Sequence, residues 1–127
     1  MMGLALLAPF AVAARLTPSQ RGYGTHQQLG LPPCSFRALF GRRCPSCGAT
    51  TAWAWLVRGR LAEALKAHVT ATVIGLLAAT AAGWLLLSAV RGAWVVRPLS
   101  DAEAAVMVST LLAAAAVEWL LRMAGAW

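Results

Sequence analysis

The chain has 127 residues, of which 60% are hydrophobic and 12% charged, with a formal net charge of +7. An ordinary soluble domain is roughly 25% charged, and a domain this short leaves much of its surface wet. The composition therefore excludes a soluble globular domain and predicts an all-α integral membrane protein.

In chain order, residues 1–16 open with an apolar run from Met1 to Ala14 that is interrupted by Pro9. It lacks a basic lead-in and reads as a short first transmembrane helix rather than a signal-like segment. Residues 17–68 follow, holding all three cysteines and both histidines. Pro18, Gly22, Gly24, Gly30, Pro32, Pro33 and Gly41 punctuate the first part as an irregular loop. After Gly48, Ala49 to Val57 has helical composition, and Gly59 separates it from Arg60 to Ala67. Leu61 and Leu65 share one face of the second piece, which suits an amphipathic helix on the membrane surface. Trp53 and Trp55 are expected at the headgroup level.

The clearest span is 69–90, 22 residues without a charge, which as a helix covers roughly 33 Å. A short external loop, 91–101, leads to the last span and tail, 102–127. There Glu118 and Arg122 stand at i and i+4, a spacing for an ion pair able to snorkel to water. The pairs Ala71/Gly75 and Ala79/Gly83 suit close helix packing, within the chain or in a homo-oligomer. Three spans are thus expected.

Eight Lys and Arg lie between the first and second spans, two between the second and third, and one in the tail. The positive-inside rule then puts the N-terminus outside and the Cys-rich loop and C-terminus in the cytoplasm. That placement absorbs most of the basic charge, so nucleic acid is not the expected partner. The lipid bilayer is, together with a homo-oligomer or another membrane protein.

Cys34, Cys44 and Cys47 fall within fourteen residues. In a reducing compartment such clustering points to metal ligation or redox chemistry rather than a disulfide. Cys44-Pro45-Ser46-Cys47-Gly48 has the form of a zinc knuckle, and Cys34 supplies a third sulfur. Structural zinc takes four ligands. His26, in the same loop, is the candidate fourth ligand. His68 is the other histidine, and its place at the entrance of a span suits an interface marker. A rival reading is a membrane thiol oxidoreductase with Cys44 as nucleophile and Cys47 as resolving thiol, its thiolate favoured by the following helix and by Arg42 and Arg43. A third reading, in which the cysteines only pack, makes Cys-to-Ser changes silent.

Gly24-Thr25-His26, Leu29-Gly30-Leu31-Pro32-Pro33-Cys34, Gly41, Cys44-Pro45-x-Cys47-Gly48-x-Thr50 and Gly59 together resemble the domain-of-unknown-function family 2752. These are small bacterial integral membrane proteins, and the resemblance runs over about residues 22 to 90. It implies a bacterial inner-membrane location and a central role for the cysteine motif, and brings no activity with it. Where the family commonly has Arg, Asp and Asn, this chain has Thr51, Arg60 and His68. The Thr25-His26 element accompanies the Thr-Thr form of the motif, which supports His26 as a ligand.

Overall fold

The computed structural model describes residues 2–125. Met1, where the first predicted span begins, and residues 126 and 127 of the predicted tail lie outside the described residues. Six α-helices run in the order α1 (Met2–Arg15), α2 (Ser35–Phe40), α3 (Ala49–Leu56), α4 (Leu61–Ala67), α5 (Val69–Arg91) and α6 (Asp101–Met123), with a short 3-10 helix at Thr25–Leu29. No strand occurs among the described residues.

Two helices, α5 and α6, are long and apolar enough to cross a membrane. The first predicted span is the 14-residue α1. At 1.5 Å per residue it reaches about 21 Å, short of a hydrocarbon core of about 30 Å. It lies antiparallel along α5: a Cβ on Gly3 would meet Leu86, while Phe10 stacks on Trp53 at a 5.3 Å centroid distance. Arg58 ties the end of α1 to the end of α3, donating to Leu16 O at 2.8 Å and to Ala54 O at 2.7 Å.

The core sits where α3 and α4 fold back on the start of α5, around Ala52, Trp55, Ala64, Ala67 and Ala71. Alanines dominate because the three helices approach closely. Gly75 makes that approach possible, since a Cβ there would stand 2.7 Å from Leu56 and 3.1 Å from Trp53 Nε1. Of the two small-residue pairs, Ala71/Gly75 is thus consumed inside the chain. Gly83 has open space where a Cβ would be.

On α4, Ala64 and Ala67 face the protein, which leaves Leu61 exposed on the other side. Two local expectations need correcting. Trp55 is buried under Arg60, and Trp53 donates its indole N–H to Ala71 O at 2.7 Å, so both tryptophans serve the core. The predicted irregular loop also contains two helical pieces, Thr25–Leu29 and α2.

Candidate metal centre

The cysteine turn is built from its own backbone. Cys47 N–H donates to Cys44 O and Ala49 N–H to Ser46 O, each at 3.1 Å, leading directly into α3. Gly48 sits between them at φ +101°, a left-handed backbone that an L side chain rarely adopts. A Cβ on Gly48 would also stand 2.7 Å from both Ala67 O and Gly22 O. Glycine is therefore required by conformation and by space. Cys34 comes from a separate segment, immediately before α2, and its carbonyl accepts from Ala38 N–H at 3.0 Å.

Folding brings these segments together so that the three cysteine Sγ atoms lie within 4.8 Å of one another. The sulfurs of Cys44 and Cys47 lie 3.1 Å apart. Zn–S bonds of about 2.3 Å at tetrahedral angles place sulfurs roughly 3.8 Å apart. One pair is closer than that and no pair is farther apart than 4.8 Å, so the three thiols are near enough together to share a metal ion.

The two thiols of the turn differ electrostatically. Burial opposes the Cys44 thiolate, but hydrogen bonds from Ser46, Cys47 and Cys34 outweigh it and bring its pKa from 9.0 down to about 7. Burial, with the hydrogen bond to Cys44 second, pushes Cys47 up to about 12. Arg42 and Arg43 are not among the named causes of either shift, and their side chains donate to Met123 O and Arg21 O.

His26 lies on the 3-10 helix and lines a cavity of about 580 Å³ together with all three cysteines. It is not one of the three residues whose ligand atoms cluster within 4.8 Å. Its neighbour Thr25 has a direct partner, for Thr25 and Thr51 bond through their hydroxyls at 2.7 Å, both fully buried. The Thr25 hydroxyl also accepts from Ser19 N–H at 3.1 Å. Thr25 and the Thr50-Thr51 pair are thus linked through this hydrogen bond.

His68 and Glu118 occupy positions that sequence reasoning missed. His68 is 3% exposed, not an interface marker. Its Nε2–H donates to Pro45 O at 2.8 Å, and its Nδ1 lies 3.0 Å from a Glu118 carboxylate oxygen. Glu118 forms the expected ion pair with Arg122, yet the pair is buried in protein instead of reaching for water. The first N–H groups of a helix have no partner within it, and a carboxylate there also meets the positive end of the helix dipole. Glu118 fills that place for α5, accepting from Val69 N–H at 2.9 Å and Thr70 N–H at 2.8 Å. Arg122 continues the link, donating to Ala67 O at 2.9 Å and Cys47 O at 3.3 Å. The cysteine turn is thereby held to both long helices.

The family profile described as protein of unknown function (DUF2752) matches residues 34–90. The match takes in the three cysteines, His68 and α5, and leaves His26, α1 and α6 outside it. No curated protein and no solved structure matches the chain. The cysteine turn, the α3–α4 hairpin and all but the last residue of the helix they pack on thus lie inside the stretch, residues 34–90, that is similar to the DUF2752 family.

Proposed function

We propose that this is a bacterial inner-membrane protein whose cytoplasmic loop is folded around a structural zinc ion and serves as an adaptor or scaffold. Cys34, Cys44 and Cys47 are three of the ligands, and His26, lining the cavity they share, is the fourth. The observation that carries this reading is the convergence of three thiols from two segments of the loop within 4.8 Å. A closed zinc site of this kind stabilises a fold and leaves no position for activating water. The charge count and the antiparallel run of α1 along α5 support an outside N-terminus with the loop and C-terminus in the cytoplasm.

Metal content of the detergent-purified chain by mass spectrometry, paired with thiol titration with and without chelator, tests the proposal. The expected result is one zinc per chain, thiols unmasked by chelator, loss of zinc in Cys34→Ser and weakened zinc in His26→Ala. Metal-free protein with freely titrating thiols would overturn it.

A second reading has one observation in its favour, the Cys44 pKa of about 7 beside a protonated Cys47 3.1 Å away. As an oxidoreductase, the Cys44 thiolate would attack a substrate disulfide and release one substrate thiolate. Cys47 would then displace the second thiol, leaving a Cys44–Cys47 disulfide and a reduced substrate. That activity would survive Cys34→Ser, whereas the zinc site would not.

A further inference from the structure

A second cavity, of about 870 Å³, shares no lining residue with the cysteine cavity and is lined among others by Arg21, Arg42, Arg43 and Lys66. It sits where the N-terminal end of α5 meets the C-terminal end of α6, since Ala67 and Met123 are also in its wall. None of those four cations is paired with a carboxylate among the described residues, for the recorded ion pairs involve Arg60, His68, Arg97 and Arg122. The one carboxylate in the wall, Glu63, is itself bonded to Arg60 at 2.6 Å.

Four like charges around one concavity repel one another, and screening is weaker beside apolar helices than in open water. A topology signal needs positive charge somewhere along the loop. It does not need that charge gathered into one pocket. Arg42 and Arg43 are each steadied by donation to a backbone carbonyl, Met123 O at 3.1 Å and Arg21 O at 3.2 Å. A guanidinium has five N–H donors, so both keep most of theirs, in the fork geometry that matches phosphate oxygens. Arg43 is further fixed by Tyr23, whose ring centre lies 4.5 Å from its guanidinium carbon.

We infer that this cavity is a binding site for a phosphate-bearing anion, held by Arg21, Arg42, Arg43 and Lys66 at the end of the two apolar helices. The same phosphate chemistry is offered by an anionic lipid headgroup, which reaches the ends of membrane helices, and by a free phosphate or pyrophosphate. The inference stands apart from the metal centre, because it uses none of the cysteines.

The test uses the full chain. Two arms separate the sources: thermal unfolding in detergent with added inorganic pyrophosphate, and binding to phosphatidylcholine vesicles with or without phosphatidylglycerol, read by native mass spectrometry for retained lipid. Arg21→Gln/Lys66→Gln removes two exposed cations from the cavity. Arg15→Gln/Arg91→Gln removes two exposed cations elsewhere and has the same net charge. The expected result is saturable binding in at least one arm, weakened about tenfold or more by the cavity variant and less than about twofold by the control. Response in the vesicle arm alone identifies a lipid headgroup, and response in both identifies a free phosphate compound. Equal loss in the two variants, or no saturable binding in either arm, would overturn the site and leave the charges as a topology signal only.

Discussion

Cys44 and Cys47 share one turn, yet Cys44 is drawn down to about 7 while Cys47 is held near 12. An acid whose pKa is lowered gains its charged form as pH rises through the new value, and only the thiolate alkylates. In chelator-treated protein, iodoacetamide modification mapped by peptide mass spectrometry should therefore rise through pH 7 at Cys44, with Cys47 still protected at pH 9. Ser46→Ala removes one of the bonds that favour the Cys44 thiolate, and should move the rise to higher pH. Gly48 carries a different kind of constraint. Gly48→Ala should lower stability by about 2 kcal/mol or more, from the left-handed backbone and from two carbonyl oxygens that cannot both retreat. Chemical denaturation in detergent would measure it. The cysteine motif and its glycine were legible because ligand spacing is a local property of a sequence. His68 was not, because its role depends on Pro45 and Glu118, 23 residues before it and 50 after. A single sequence contains no record of which distant residues meet.

Element boundaries follow from signals of the same local kind. Ala49–Leu56 and Leu61–Ala67 form on either side of Gly59, as the composition indicates. The start of α6 carries a full reciprocal cap: Glu103 N–H donates to the Ser100 hydroxyl, and Ser100 N–H donates to the Glu103 carboxylate. A Ser-x-x-Glu spacing ahead of an apolar run is a local start signal of this kind. Ser100→Ala should cost about 1 kcal/mol in the same denaturation assay and leave the metal centre untouched. At its other end α6 is joined to the rest by a more costly contact. Glu118→Ala would leave two N–H groups of α5 and the buried Arg122 without their acceptor, and should destabilise by about 3–5 kcal/mol. Unlike Ser100→Ala, it should also unmask the cysteines to thiol reagents, since Arg122 bonds to Cys47 O. The sequence suggested the Glu118–Arg122 pair by spacing, but its burial depends on where α5 begins, which i and i+4 cannot encode.

For the whole molecule, composition and apolar length were sufficient to read an all-helical chain with two helices long and apolar enough to cross a membrane, without knowledge of any contact. The third span rests on α1, whose 14 residues are too few to show a crossing by length alone and whose packing along α5 is what supports one. Orientation is open to direct measurement. In a background with Cys34, Cys44 and Cys47 replaced by Ser, a membrane-impermeant maleimide should label Ala93→Cys in intact cells, and His26→Cys only after permeabilisation. The reverse pattern would invert the topology. The reach of Glu118 has one more consequence, in the time order of synthesis. The cap of α5 and the brace on the cysteine turn come from residues 118 and 122, while the groups they satisfy lie at 47 and 67–70. When α5 leaves the ribosome, its first turn has no acceptor for two amides, and the Cys44–Gly48 turn has no guanidinium behind it. Both wait for some fifty further residues to be made and for α6 to pack against α5. The loop thus reaches its final shape as the closing event of biogenesis, so a nascent chain cut short before residue 118 carries every cysteine and still lacks the finished site.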